Sequence, residues 1–280
     1  MTTKSNLLEM QLEWAKRAGK TADKRGYLPS TAENLYQPLS TLASTAFDAG
    51  SGAETRDTPQ RSAKMRALHS SAALVVNFFD HWTARNADAL LRAMGLEAKP
   101  VSIHFEAQFP TGLEGIPPNL DVALLFTGGL VVGVESKFSE WLTPNSPGKE
   151  LFKPKYFSTP GGLWAARGLP ACQQLASELQ VGSTKFRHLD VAQLLKHALG
   201  LARQHPGHFE LHYIFFDCPG PESLVHHAEL KEFARRVDGD FQFRYGSYQD
   251  LFQVLVKEVG PEQVSYVAYL RERYFPTSSS

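Results

Sequence analysis

Residues 119–138 read NLDVALLFTGGLVVGVESKF. Two apolar runs, Leu120–Phe126 and Leu130–Phe138, are separated only by Thr127-Gly128-Gly129, which predicts a β-hairpin. Its register decides what the segment can do. With Gly128-Gly129 as a two-residue loop, Asp121 faces Ser136 and the carboxylates of Asp121 and Glu135 leave opposite faces of the sheet. With a three-residue loop, Phe126 faces Leu130, Asp121 faces Glu135, and Gly129 supplies the left-handed residue that such a loop needs. The side-chain pattern selects the second register. One face then carries Leu120, Val122, Leu124 and Phe126 against Leu130, Val132, Val134, Ser136 and Phe138. The other carries Asp121, Ala123 and Leu125 against Val131, Gly133, Glu135 and Lys137, with Ala123 opposite Gly133 leaving room beside the charges. A slip of one residue would mix the two sets.

Working outward, Val101–Phe109 alternates between apolar residues and Ser102, His104, Glu106 and Gln108, which predicts a strand with one wet face. Upstream, Leu7 to Trp14 suggest a short helix, and the Ser/Thr/Gly-rich stretch 46–59 reads as a loop. Between Arg61 and Met94, apolar residues from Met65 to Phe79 recur at helical spacing, with Gly95 as a stop, so one or two helices are expected. After Phe138 a Pro/Gly-rich stretch runs to about Gly168. Then come a helix at Ala171–Leu179, a helix capped by Asp190 and ending near Gln204, and a strand at Phe209–Asp217. Helices at Leu230–Val237, Tyr248–Glu258 and Val264–Phe275 close the chain. The order is that of an α/β or α+β fold with a central mixed sheet and added helices at both ends. We expect residues 1–60 to form an N-terminal extension packed on a domain of residues 61–280.

Bulk properties set limits. The 280 residues, 42% of them hydrophobic, suffice for one large core. No run of eighteen apolar residues predicts a membrane span, and the first twenty residues show no secretion signal. Cys172 and Cys218 make no disulfide framework, so buried thiols in a reducing cytoplasm are expected. Lys plus Arg equals Asp plus Glu at 29 each, less basic than a small DNA-binding domain usually is. No GxGxxG, P-loop or GxSxG motif occurs, which removes the usual nucleotide and acyl-transfer readings.

The chemistry sits on the hairpin. Two like charges opposite one another destabilise a strand pair unless a cation lies between them. Carboxylate oxygens completed by water and a substrate phosphate suit Mg²⁺ or Mn²⁺. Lys137 then orients an attacking water or stabilises negative charge on phosphorus. The competing reading is a salt-bridged surface patch that does nothing.

Asn119-Leu120-Asp121 with Val134-Glu135-Ser136-Lys137-Phe138 resembles the PD-(D/E)XK nuclease superfamily, the fold of many restriction endonucleases. That resemblance implies an αβββαβ core, metal binding by Asp121 and Glu135, and catalytic support from Lys137. More narrowly, His69–Phe79 followed by Glu135–Glu140 resembles a bacterial restriction-endonuclease-like branch over residues 60 to 270. Two positions depart from the pattern. Leu120 stands where the superfamily has proline, and residues 61–96 hold no glutamate where many members carry one. Asn77, Ser71 or, as a third metal carboxylate, Glu106 are the replacements available. Gln193 resembles a glutamine that some related nucleases place beside the site. The resemblance also implies a DNA partner and a homodimer able to cut both strands. The function expected is a metal-dependent DNA endonuclease, and the rival is a nuclease fold used for binding or assembly without turnover.

Other residues carry less. The helix after Asp190 presents Gln193, Lys196, His197, Gly200 and Arg203 on its polar face, where an ordinary solvated face is the preferred reading for Lys196 and Arg203 and competes with a site role for Gln193. Glu140, just past the strand, reads as a surface charge. His205, His208, His212, His226 and His227 have no Cys pair at finger spacing beside them, so zinc is not expected.

Overall fold

The computed structural model describes residues 3–50, 53–146, 148 and 150–276. Residues 1, 2, 51, 52, 147, 149 and 277–280, which the domain reading takes in, lie outside the described residues. The protein is α/β, with helices on both faces of a five-stranded mixed sheet. Helix α1 (Thr3–Arg17) and α2 (Thr41–Ala49) precede α3 (Ser71–Phe79) and α4 (Asp88–Ala93). Strands β1 (Val101–Gln108), β2 (Asn119–Phe126) and β3 (Val131–Lys137) follow, then α5 (Pro170–Val181), α6 (Val191–Gln204) and β4 (Phe209–Phe215). The chain ends with α7 (Pro221–Val237), β5 (Gln242–Ser247), α8 (Tyr248–Glu258) and α9 (Val264–Tyr274). The spatial order is β1-β2-β3-β4-β5, with the first three strands antiparallel and the last three parallel.

The hairpin has the three-residue register. Val122 pairs with Val134 and Leu124 with Val132, and Phe126 N–H donates to Leu130 O at 3.0 Å. Gly128 and Gly129 both take positive φ, 114° and 92°, which only glycine adopts freely in succession.

Alternation along β3 sorts the helices onto two faces. Glu135 and Lys137 meet His197 and Gln193 on α6, whereas the intervening Ser136 meets Tyr248 on α8, Oγ to OH 2.7 Å. Tyr213, beside Glu135 on β4, reaches His226 on α7, so α7 shares the α6 face. Phe78 of α3 packs on Tyr248, and Tyr274 of α9 on Phe138, so α3 and α9 share the α8 face. One cluster of buried apolar residues runs through both layers and includes Leu7, Leu35, Ala43 and Phe47 from the first sixty residues.

Several sequence expectations need correction. The stretch 46–59, read as a loop, begins inside α2. Ser40 caps that helix, accepting from Ala43 N, and is itself fixed by the buried Asp80 through its amide and hydroxyl, a tertiary support invisible locally. The helical pattern from Met65 becomes an α-helix only at Ser71. Helix α7 starts at Pro221, nine residues before Leu230. Strand β5 was not anticipated, because as an edge strand it exposes Gln242, Arg244 and Tyr245 and shows little periodicity.

The space over Gly133 is also not open. A Cβ there would lie 2.8 Å from Leu120 and 3.1 Å from Leu201 of α6, so these two side chains fill the notch, and Leu120 leans to the α6 side. Nor is the polar face of α6 solvated throughout, since His197 and Gly200 are buried. At Gly200 a Cβ would sit 2.2 Å from the Phe109 carbonyl oxygen, so glycine sets how closely α6 approaches the end of β1. Gly200→Ala should therefore cost about 1–3 kcal/mol or more, as overpacking does, and lower the urea midpoint. Gly246→Ala, where nothing lies within 4 Å, should stay within about 0.5 kcal/mol.

Candidate active site at the parting of two strands

The β2–β3 ladder ends at Val122 and Val134. Asp121 and Glu135 are opposite by count, one step beyond, where the strands separate. The Ser136 amide, without a ladder partner there, donates instead to Asp121 Oδ2 at 2.7 Å. Glu135 Oε1 takes Lys137 Nζ at 2.5 Å, whereas Oε2 accepts no hydrogen bond and lies 3.0 Å from His197 Nε2. Lys137 Nζ also donates to Gln193 Oε1 at 3.2 Å. Gln193 and His197 are one turn apart on α6, whose N-cap Asp190 accepts from Gln193 N at 3.0 Å. Asp121, Glu135, Lys137 and Gln193 are thus brought together. His197 joins them, and the signal for it was its position four residues after Gln193.

Glu106 sits one layer out. It lies between the paired residues Phe105 and Ala107, opposite Asp121 by count, with φ +47°. No other non-glycine among the described residues has positive φ, a conformation costing about 1–2 kcal/mol. Its Oε2 accepts from Asn119 Nδ2 at 2.7 Å, and Asn119 Oδ1 accepts from Gln108 at 2.8 Å. Burial raises its affinity for a proton, as do the charges of Glu54 and Glu135. Glu54, ion-paired with Lys64 at 3.0 Å, comes from the stretch read as a loop and was missed. Among the described residues, no three His, Cys, Asp or Glu side chains gather as a ready metal-binding group.

The other candidates lie elsewhere. Asn77 is buried in a structural knot, accepting from Tyr36 N at 2.7 Å and bonding Asn34 O and Tyr274 OH, so it does not replace the absent glutamate. Ser71 opens α3 directly after its cap Ser70. Glu140 turns back on the chain, accepting from Phe138 N and Ser139 N, and its charge is felt at Lys137. His226 stacks on Trp141 at 4.5 Å, and burial pushes it down to about 3. Cys172 and Cys218 are buried free thiols, and burial raises both.

The electrostatics are those of a site short of positive charge. Burial, and then the Glu135 charge, push Asp121 well above its usual range; Lys137 and the Ser136 amide pull back less strongly. Burial also acts against ionised Glu135, but Lys137 and His197 overcome it and hold that carboxyl down to about 2. Lys137 is raised, because Glu135 and Asp121 outweigh its burial. A buried and a half-buried carboxylate beside one lysine offer hard oxygen donors, and Mg²⁺ or Mn²⁺ fits such a pair when water and phosphate complete its shell.

The stability consequence has a definite sign. The folded state keeps the Asp121 proton that the unfolded state releases near 3.8, so this group's contribution falls as pH rises from there through the raised folded value. Asp121→Asn, which retains an acceptor for Ser136 N, should melt higher than the parent at neutral pH without metal. The gain should be about 2–4 °C for each kcal/mol of repulsion removed, and it should shrink below pH 4. Thermal denaturation of both proteins in EDTA across pH checks this; a lower melting point for the variant at neutral pH would mark Asp121 as a structural salt-bridge partner.

No helix among the described residues is long and apolar enough to cross a membrane. No curated protein and no solved structure was found to match the chain. A family match does cover residues 6–275, from the first turns of α1 to the end of α9, and so takes in the sheet, both helical layers and every side chain of the site. The chain belongs to the REase-ARP family, described as "Restriction Endonuclease associating with ARP".

Proposed function

We propose that this protein is a Mg²⁺- or Mn²⁺-dependent nuclease of the PD-(D/E)XK kind that hydrolyses DNA phosphodiester bonds. The observation that carries the reading is the meeting of Asp121 and Glu135 where β2 and β3 part, with Lys137 on Glu135. A divalent cation at the two carboxylates supplies Lewis-acid polarisation of the phosphate and an acidified water. The chain's own residues do the rest. Asp121 and Glu135 hold the cation, and Glu106 backs them at longer range. Lys137 has side-chain exposure of 17%, enough to meet a substrate phosphate or the attacking water at the surface. Gln193 steadies its ammonium group. Restriction is the activity that the family description suggests, and we extend to this chain the association with ARP that the description names. A homodimer that cuts both strands belongs to the same proposal.

Plasmid and single-stranded DNA incubated with Mg²⁺, Mn²⁺ or EDTA provide the test. Cleavage should require the metal and fall at least about 100-fold in Asp121→Ala, Glu135→Gln and Lys137→Ala, since metal-assisted charge stabilisation is worth several kcal/mol. Undiminished cleavage by Asp121→Ala would discard the assignment. DNA binding that ignores metal and gives no product would instead favour a nuclease fold kept for binding or assembly.

A further inference from the structure

The buried surface of α6 is mostly apolar, made of Leu194, Leu195, Ala198, Leu201 and Ala202 among others, with Leu201 lying against Gly133 of the sheet. His197 interrupts it. Its side chain is 1% exposed, its Nε2 lies 3.0 Å from Glu135 Oε2, and the Glu135 side chain is 2% exposed. The approach is off the line of a good hydrogen bond, yet neither atom has any other partner. An imidazole buried without compensation costs about 1–3 kcal/mol, so a histidine rather than a leucine here needs a reason, and Glu135 is the group it faces.

We propose that His197 is a positioning residue for Glu135, an inference that rests on the metal-dependent reading above. With Nε2 carrying the proton, the ring holds Oε2 and fixes the rotation of the carboxylate. Oε1, which accepts from Lys137 Nζ, would then be the oxygen left for a cation. Gln193, one turn earlier on α6, accepts from the same Lys137 Nζ and so holds the ammonium group beside Oε1. Both sides of the site are thereby set by one helix, whose distance from β1 is fixed by Gly200. Groups that hold a metal ligand from behind typically change metal affinity 10–100-fold when removed.

Mn²⁺ binding to the full chain, followed by calorimetry without DNA, tests the assignment through a readout other than turnover. His197→Leu and His197→Ala should weaken Mn²⁺ binding about 10–100-fold, while His197→Gln, which returns an N–H donor, should remain within about threefold of the parent. Equal affinity in all variants would overturn the proposal while leaving the nuclease reading intact; a parent chain that takes up no Mn²⁺ would remove both. Should the leucine and alanine variants fail to fold, ¹⁵N resonances of His197 in the parent, recorded with and without Mg²⁺, decide the matter. A protonated Nε2 retained in the Mg²⁺ form supports positioning, and loss of that proton would make His197 a direct ligand and overturn it.

Discussion

The site depends on the parity set by one turn. Thr127-Gly128-Gly129 closes the hairpin with Phe126 against Leu130, and that pairing carries Asp121 opposite Glu135. A strand repeats every two residues, so a turn shorter by one would send the aspartate to Ser136 and the opposite side of the sheet. Two consecutive positive-φ glycines hold this parity against the alternative, and the apolar pairs Val122–Val134 and Leu124–Val132 reinforce it from within the core. The charged residues do not choose their positions; the hydrophobic pairs place them.

The hairpin alone would leave two carboxylates in contact with water. Helix α6 converts the strand end into a buried site. Gly200 lets the helix approach the end of β1, Leu201 fills the notch over Gly133, and Gln193 and His197 then fall against Lys137 and Glu135. The crossover that carries α6 between β3 and β4 is what makes these two strands parallel, so the topology of the sheet and the closure of the site are one feature.

What the sequence discloses follows from how local each determinant is. The hairpin register is legible because period-two alternation and turn chemistry act within twenty residues. The cap at Asp190 is legible for the same reason, whereas Gln193 was singled out by the family resemblance. Helix α2 is not, since Ser40 is fixed by Asp80 forty residues away. Leu120 escaped because strict alternation fails where β2 leaves its partner, and the side chain follows the cavity rather than the pleat. His197 and Gly200 received no role from the sequence because a helical pattern shows which residues share a face, not what that face meets. Here that face carries the functional contacts, and only the packing against Phe109 and Glu135 reveals it.

The absence of a glutamate from residues 61–96 finds a physical counterpart in how negative charge is distributed around the hairpin. Glu106, held in the left-handed region and tied to Asn119, contributes from β1 itself, and Glu54 contributes from the chain that crosses near it. Each raises the proton affinity of its neighbour, so the region holds more carboxylates than Lys137 and Lys64 neutralise. Lys137 pairs with Glu135, and Asp121 keeps a raised proton affinity, set first by burial and then by the Glu135 charge. Under the proposed function, a cation held by these two carboxylates would supply the positive charge that Lys137 alone does not. An inert salt-bridged patch would have its charges balanced, whereas this site keeps a deficit of positive charge in a buried place. That imbalance, and not the spacing of the motif, is the strongest physical argument that something cationic belongs there.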